Sequence, residues 1–189
     1  MLQIRIHGRG GQGVVTAAEL LSMAAFLDGK FALAFPSFGS ERTGAPVAAF
    51  CRISEHEIRA REPIVLPDAV IVQDSTLLHQ VDVFGGLKGE GYVLINSTRT
   101  ISELGIEDRC SNLPEHHCCI LPATDIANKY LHRPIPNAAL VAGFAALTQE
   151  ISLASIEQAI RRKFPGPVGE RNVEVAREAY DYAASHVPV

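Results

Sequence analysis

The stretch Leu2-Gln-Ile-Arg-Ile-His-Gly-Arg-Gly-Gly-Gln-Gly13, running on into Val14-Val-Thr-Ala-Ala-Glu-Leu-Leu-Ser-Met-Ala-Ala-Phe-Leu27, decides the fold. Leu2, Ile4 and Ile6 alternate with polar residues, the period of a strand, which the pattern places over Leu2 to His7. From Gln12 to Leu27 the polar positions Thr16, Glu19 and Ser22 recur every third residue, so a narrow wet strip runs along an otherwise buried helix. Asp28-Gly29 stops that helix, because Gly29 can take the left-handed capping conformation. Between strand and helix lies Gly8-Arg9-Gly10-Gly11-Gln12-Gly13. In this context a G-x-G-x-x-G run acquires meaning: residues without a Cβ turn tightly, and free N–H groups at a helix start favour an anion. Two readings stand, a tight turn and nothing more, or a contact with a phosphate group or a partner's cofactor region.

Phe31 to Phe35 reads as a second strand and Val47 to Ile53 as a third. Ala69 to Val72 and Tyr92 to Ile95 are short apolar runs ending in Gln73-Asp74 and Asn96-Ser97. Such runs are parallel strands buried on both faces, whose carboxyl ends open onto a polar rim. Cys118 to Leu121 adds another strand. Helices are expected at Ala138 to Gln149 with Asn137 as N-cap, at Ser152 to Phe164, and at Glu170 to Ser185. Gly143, among alanines, suits the close approach of a neighbour. The expectation is a single α/β domain over residues 1–189, three layers deep, with a largely parallel, Rossmann-like sheet.

Composition narrows the function. A chain of 189 residues can bury roughly 70% of its unfolded surface and needs no metal or disulfide to fold. With 17 Lys and Arg against 21 Asp and Glu, a net charge of −4 gives no electrostatic reason to bind nucleic acid. Apolar runs fall short of the roughly 18 residues that span a membrane, and the first residues enter a strand pattern directly. A cytoplasmic, reduced chain is therefore expected. Cys51, Cys110, Cys118 and Cys119 form no C-x-x-C, and an adjacent pair suits no internal disulfide. No iron–sulfur spacing occurs. His116-His117-Cys118-Cys119 has a metal-like composition, but consecutive strand residues point to opposite faces, so it reads as a strand entrance with buried thiols.

A nicotinamide site needs an acidic residue at the end of the second strand. Asp28 precedes that strand, and Phe35-Pro36 ends it without a carboxylate. His7 could meet a ligand phosphate or be a satisfied histidine at a strand end. Arg9 and Arg42 could grip phosphate oxygens or a carboxylate across an interface. No nucleophile with an orienting partner is present, so no catalytic residue is assigned.

The most individual stretch is Ala34-Phe-Pro-Ser-Phe-Gly-Ser-Glu-Arg-Thr-Gly-Ala-Pro46. Joined with His7 to Gly13, and with Phe50-Cys-Arg-Ile53, Asp68 to Val72, Ala123-Thr-Asp-Ile-Ala127 and Ile135-Pro-Asn137, it resembles the gamma subunit of pyruvate:ferredoxin oxidoreductase, within the 2-oxoacid:acceptor oxidoreductase family. The form Glu41-Arg42-Thr43-Gly44 is more similar to the pyruvate branch than to the indolepyruvate or 2-oxoglutarate branches. The resemblance implies a complex with alpha, beta and delta-type subunits that oxidatively decarboxylates a 2-oxoacid, forms acyl-coenzyme A and reduces ferredoxin. It also implies thiamine diphosphate and iron–sulfur clusters held by other subunits, as is the pocket that selects the 2-oxoacid. No cofactor is expected on the isolated chain, and no metal. A coenzyme A contact is carried onto Gly8, Arg9, Gly10, Gly11, Gln12, Gly13, Glu41, Arg42, Thr43 and Gly44. The rival readings are a free-standing NAD- or flavin-binding oxidoreductase and a non-enzymatic binding module.

Overall fold

The computed structural model describes residues 1–37 and 43–186. Its elements follow in the order β1 (Leu2–Arg9), α1 (Val14–Leu27), β2 (Phe31–Pro36), β3 (Pro46–Ser54), β4 (Ala69–Val72), β5 (Tyr92–Asn96), α2 (Ile101–Leu104), α3 (Glu107–Cys110), β6 (Cys118–Leu121), α4 (Ala123–Leu131), α5 (Asn137–Thr148), α6 (Leu153–Lys163) and α7 (Pro167–His186). The six strands form one sheet in the order β2-β3-β1-β4-β5-β6. From β1 outward to β6 every pairing is parallel. The expected α/β fold with a mostly parallel sheet is therefore present, with one departure. The chain returns from β2 as a hairpin, so β3 runs antiparallel to both β2 and β1 and occupies the place between them. This insertion also lengthens β1 beyond His7, since Gly8 pairs with Val47 and Arg9 with Pro46.

The short central strands are buried on both faces. Ala69 and Ile71 enter the larger core with α1, α4, α5, α6 and α7. Val70 and Val72 enter a smaller one on the opposite face, with Leu77, Val83, Leu104 and Ile106. On β1 the alternation holds: Ile4 and Ile6 are fully buried in the larger core, while Arg5 and His7 face the other way. Helix α5 is buried continuously from Asn137 to Leu147, as an all-apolar helix must be. A β-carbon on Gly143 would stand 2.6 Å from Leu121 Cδ2, which is the close approach its place among alanines implies.

Two expectations need correction. Asn137 is not a helix cap: Pro136 precedes α5, and Asn137 lies in its first turn with its side chain buried. Nor are the cysteines all free thiols. Cys110 and Cys118 are joined as a disulfide across Cα atoms 5.7 Å apart, because the turn after α3 brings the chain straight back to β6. Spacing of eight residues carries no recognisable pattern, so the pair was invisible to motif reading. Cys51 and Cys119 are free and buried, and burial pushes their thiols up to about 12 and about 11. Neither offers a thiolate near neutral pH.

Candidate functional site

At the carboxyl ends of β1, β4 and β5 the sheet opens into a crevice of about 860 Å³. Its walls include Gly11 and Gly13 on one side, Gln73 and Asp74 after β4, Asn96 after β5, and Asn137 at the head of α5. The expected polar rim thus closes on a cavity, at the place where ligands enter open α/β sheets.

The glycine turn is built from its own backbone. Gln12 N–H donates to Arg9 O at 3.0 Å. Gly11 and Gly13 have φ of +91° and +74°, a region that favours glycine, and Gly13 then starts α1 without a side-chain cap. The second loop closes onto this turn. Gly10 N–H donates to Ala45 O at 2.9 Å, and Gly44 N–H donates to Gly10 O at 3.0 Å. Thr43 forms an isolated parallel bridge with Gly10. The two loops, separated by some thirty residues of chain in the sequence, are therefore neighbours. Glu41 and Arg42 lie outside the described residues.

Arg9 spends most of its donors inside the protein. Its Nε donates to Asp74 Oδ2 at 3.1 Å, Nη1 to Gly44 O at 3.0 Å, and Nη2 to Thr76 Oγ1 at 2.7 Å and Gln80 Oε1 at 2.9 Å. The guanidinium is a bracket tying β1, the second loop and the 3-10 turn after β4. Gln12 reinforces it: its Oε1 accepts from Arg9 N–H and its Nε2 donates to Asp74 Oδ2. Burial pushes the Asp74 carboxyl up, but the Thr76 hydroxyl, the Gln12 amide, the Thr76 N–H and the Arg9 guanidinium together hold it below the usual carboxylate range. Asp74 is an ionised anchor.

His7 is satisfied within the protein, since Arg5 Nε donates to its Nε2 at 2.9 Å. Burial, then the Arg5 charge, lower its pKa to about 4 against the pull of Asp82, so the ring is neutral. Across the crevice, Asn96 Nδ2 donates to Gln73 O and to Thr124 Oγ1, both at 2.8 Å, while Thr124 N–H donates to Asn96 Oδ1 at 3.1 Å. These bonds stitch the ends of β4 and β5 to the start of α4. The sequence marked Gln73-Asp74 and Asn96-Ser97 as a polar rim but gave them no task, and it missed Asn137 by reading it as a cap. Their position at strand ends was the available signal.

The nicotinamide reading fails on geometry. Asp28 accepts from Ser152 N–H and Oγ and from Ser155 Oγ at 2.6, 2.7 and 2.5 Å, so it anchors the start of α6. Moreover, β3 separates β2 from β1, so the end of β2 does not border the glycine turn. Among the described residues no three His, Cys, Asp or Glu side chains converge as metal ligands, and no helix is long and apolar enough to cross a membrane.

A glycine turn bridged to a second loop stands at the head of a sheet with one inserted antiparallel strand, the frame of an open α/β ligand-binding domain. The chain matches the pyruvate ferredoxin/flavodoxin oxidoreductase family over residues 3–182, and it belongs to that family. Within it the likeness is to gamma-type subunits. Pyruvate synthase subunit PorC of Methanothermobacter marburgensis is 47% identical over 181 residues, 96% of this chain and 97% of that protein. The common gamma subunit of the pyruvate/ketoisovalerate oxidoreductases of Pyrococcus furiosus is 46% identical, over 96% of each chain. The crystal structure of the pyruvate oxidoreductase subunit PORC of Thermotoga maritima superposes with a TM-score of 0.80 at 34% identity, over 95% of each chain. A 2-oxoglutarate:ferredoxin oxidoreductase from Magnetococcus marinus, solved with 2-oxoglutarate, coenzyme A and succinyl-CoA bound, shares the fold at 16% identity and a TM-score of 0.75. It covers 99% of this chain and 31% of that one.

Proposed function

We propose that this chain, a gamma-type subunit of a 2-oxoacid:ferredoxin oxidoreductase, contributes one wall of the coenzyme A site and carries none of the redox chemistry. It is part of an enzyme while being catalytically silent alone, and a free-standing nucleotide-dependent oxidoreductase is not favoured. The observation that carries the reading is the joining of Gly10 to the 43–45 segment at the head of an open crevice. Gly11 and Gly13 bring backbone close to any molecule lying there. The Asn96 side-chain amide and the Thr124 hydroxyl offer neutral donors and acceptors. Among the described residues Arg99 is the cation on the rim, and it also donates to Glu103 O. Arg9 supports this wall by positioning it and does not touch the coenzyme.

Thiamine diphosphate and the iron–sulfur clusters belong on alpha, beta and delta-type partners. The cysteines of this chain suit no cluster, two being disulfide-bonded and two buried as protonated thiols. Pyruvate is named for these relatives, together with ketoisovalerate for the Pyrococcus subunit, and ferredoxin would receive electrons through the complex. Anaerobic purification of the tagged chain from its native cells tests this. The co-purified subunits should reduce a dye with pyruvate only when coenzyme A is present, whereas recovery of the chain alone would overturn the reading.

A further inference from the structure

Directly beneath the glycine turn, two neutral amides are buried side by side. Gln73 ends β4 and Asn137 opens α5, and they are 3% and 5% exposed. Gln73 Nε2 donates to Asn137 Oδ1 at 2.6 Å, entirely out of water. The remaining half of each amide faces one end of the glycine run. A β-carbon on Gly8 would stand 2.5 Å from Val14 Cγ2 and 2.9 Å from Gln73 Oε1, and one on Gly13 would stand 2.5 Å from Asn137 Nδ2. The two glycines are therefore shaped to two amides as well as to a turn.

The pair is an odd choice for packing alone. Gln73 Oε1 has no hydrogen-bond partner among the described residues. A buried acceptor without a donor is unfavourable, and an apolar pair of the same shape would avoid that cost. Gln12 cannot rotate to satisfy it, because its Oε1 already accepts from Arg9 N–H and its Nε2 already donates to Asp74.

We propose that Gln73 and Asn137 are positioning residues, an amide latch that sets the height of the Gly8–Gly13 turn against the crevice. The latch holds the turn from below while the 43–45 segment holds it from the side. That the ligand is coenzyme A rests on the function proposed above; the latch itself does not.

The test uses the assembled complex and two readouts. Gln73→Met keeps the side-chain length and removes the amide, and Asn137→Ser serves if the first variant does not assemble. Hydrogen exchange at the Gly10 and Gln12 amides should rise at least tenfold in either variant, with exchange in β5 and α5 unchanged. The KM for coenzyme A should rise five- to tenfold, while the KM for the 2-oxoacid and the rate at saturating coenzyme change less than twofold. Unchanged exchange in the turn overturns the latch. Faster exchange with an unchanged KM for coenzyme A, in Gly11→Val as well, upholds the latch and overturns the coenzyme reading instead.

Discussion

Gly13 shows how much a single residue can carry. Its φ of +74° strains any L-residue, and a β-carbon there meets Asn137 Nδ2 at 2.5 Å. Gly13→Ala should therefore lower stability by about 1–2 kcal/mol from the backbone alone, more if Asn137 cannot yield, as read by urea unfolding. His7 makes a second case with a definite sign. Its folded pKa of about 4 lies below the unfolded value of 6.5, so the unfolded chain binds more protons between those limits. Stability is fully present above pH 6.5 and is lost as pH falls towards 4, with this group removing about 2 kcal/mol between pH 7 and pH 5. In His7→Gln, which can still accept from Arg5, that part of the pH dependence should vanish from unfolding midpoints. The glycines were legible because their chemistry is local. Arg9 was not: what a guanidinium meets depends on Asp74, Thr76 and Gln80, more than sixty residues away.

At the level of elements, the strands and long helices were legible from periodicity, since Ile4, Ile6 and the apolar length of α5 announce their own burial. The direction of β3 was not, because parallel and antiparallel strands carry the same alternation and differ only in what they pair with. The connection from β3 to β4 was equally silent. It crosses a sheet face where a helix would ordinarily lie, and two arginines fix it there. Arg52, 4% exposed, donates to Ala60 O at 3.0 Å and Glu62 O at 2.7 Å. Arg5 donates to Ile64 O, Val83 O and Gly85 O. Among the described residues no carboxylate pairs with Arg52, whose guanidinium instead hydrogen-bonds carbonyls and Gln3 and lies 5.2 Å from the Phe35 ring centre. Arg52→Leu would leave two carbonyls without their donor. Brief trypsin digestion should then cut after Arg59 or Arg61 at least tenfold faster than in the native chain, with β1 and β4 still protected.

For the molecule as a whole, family and fold were legible because several short motifs recur in one order along one chain. The crevice was only half legible: its glycine side came from local sequence, whereas Gln73, Asn96, Thr124 and Asn137 are assembled by four elements that no motif links. Phe26, Val65, Leu66 and Val168 keep large apolar side chains at the surface, and periodicity alone did not mark which would do so. On the function proposed above, this subunit lends its crevice to the coenzyme. A photoreactive coenzyme A analogue, cross-linked in the intact complex and mapped by peptide mass, puts that to the test. The label should fall within residues 8–13 or 96–99 of this chain and be displaced by excess coenzyme A; displaceable label found only on the other subunits would contradict the claim.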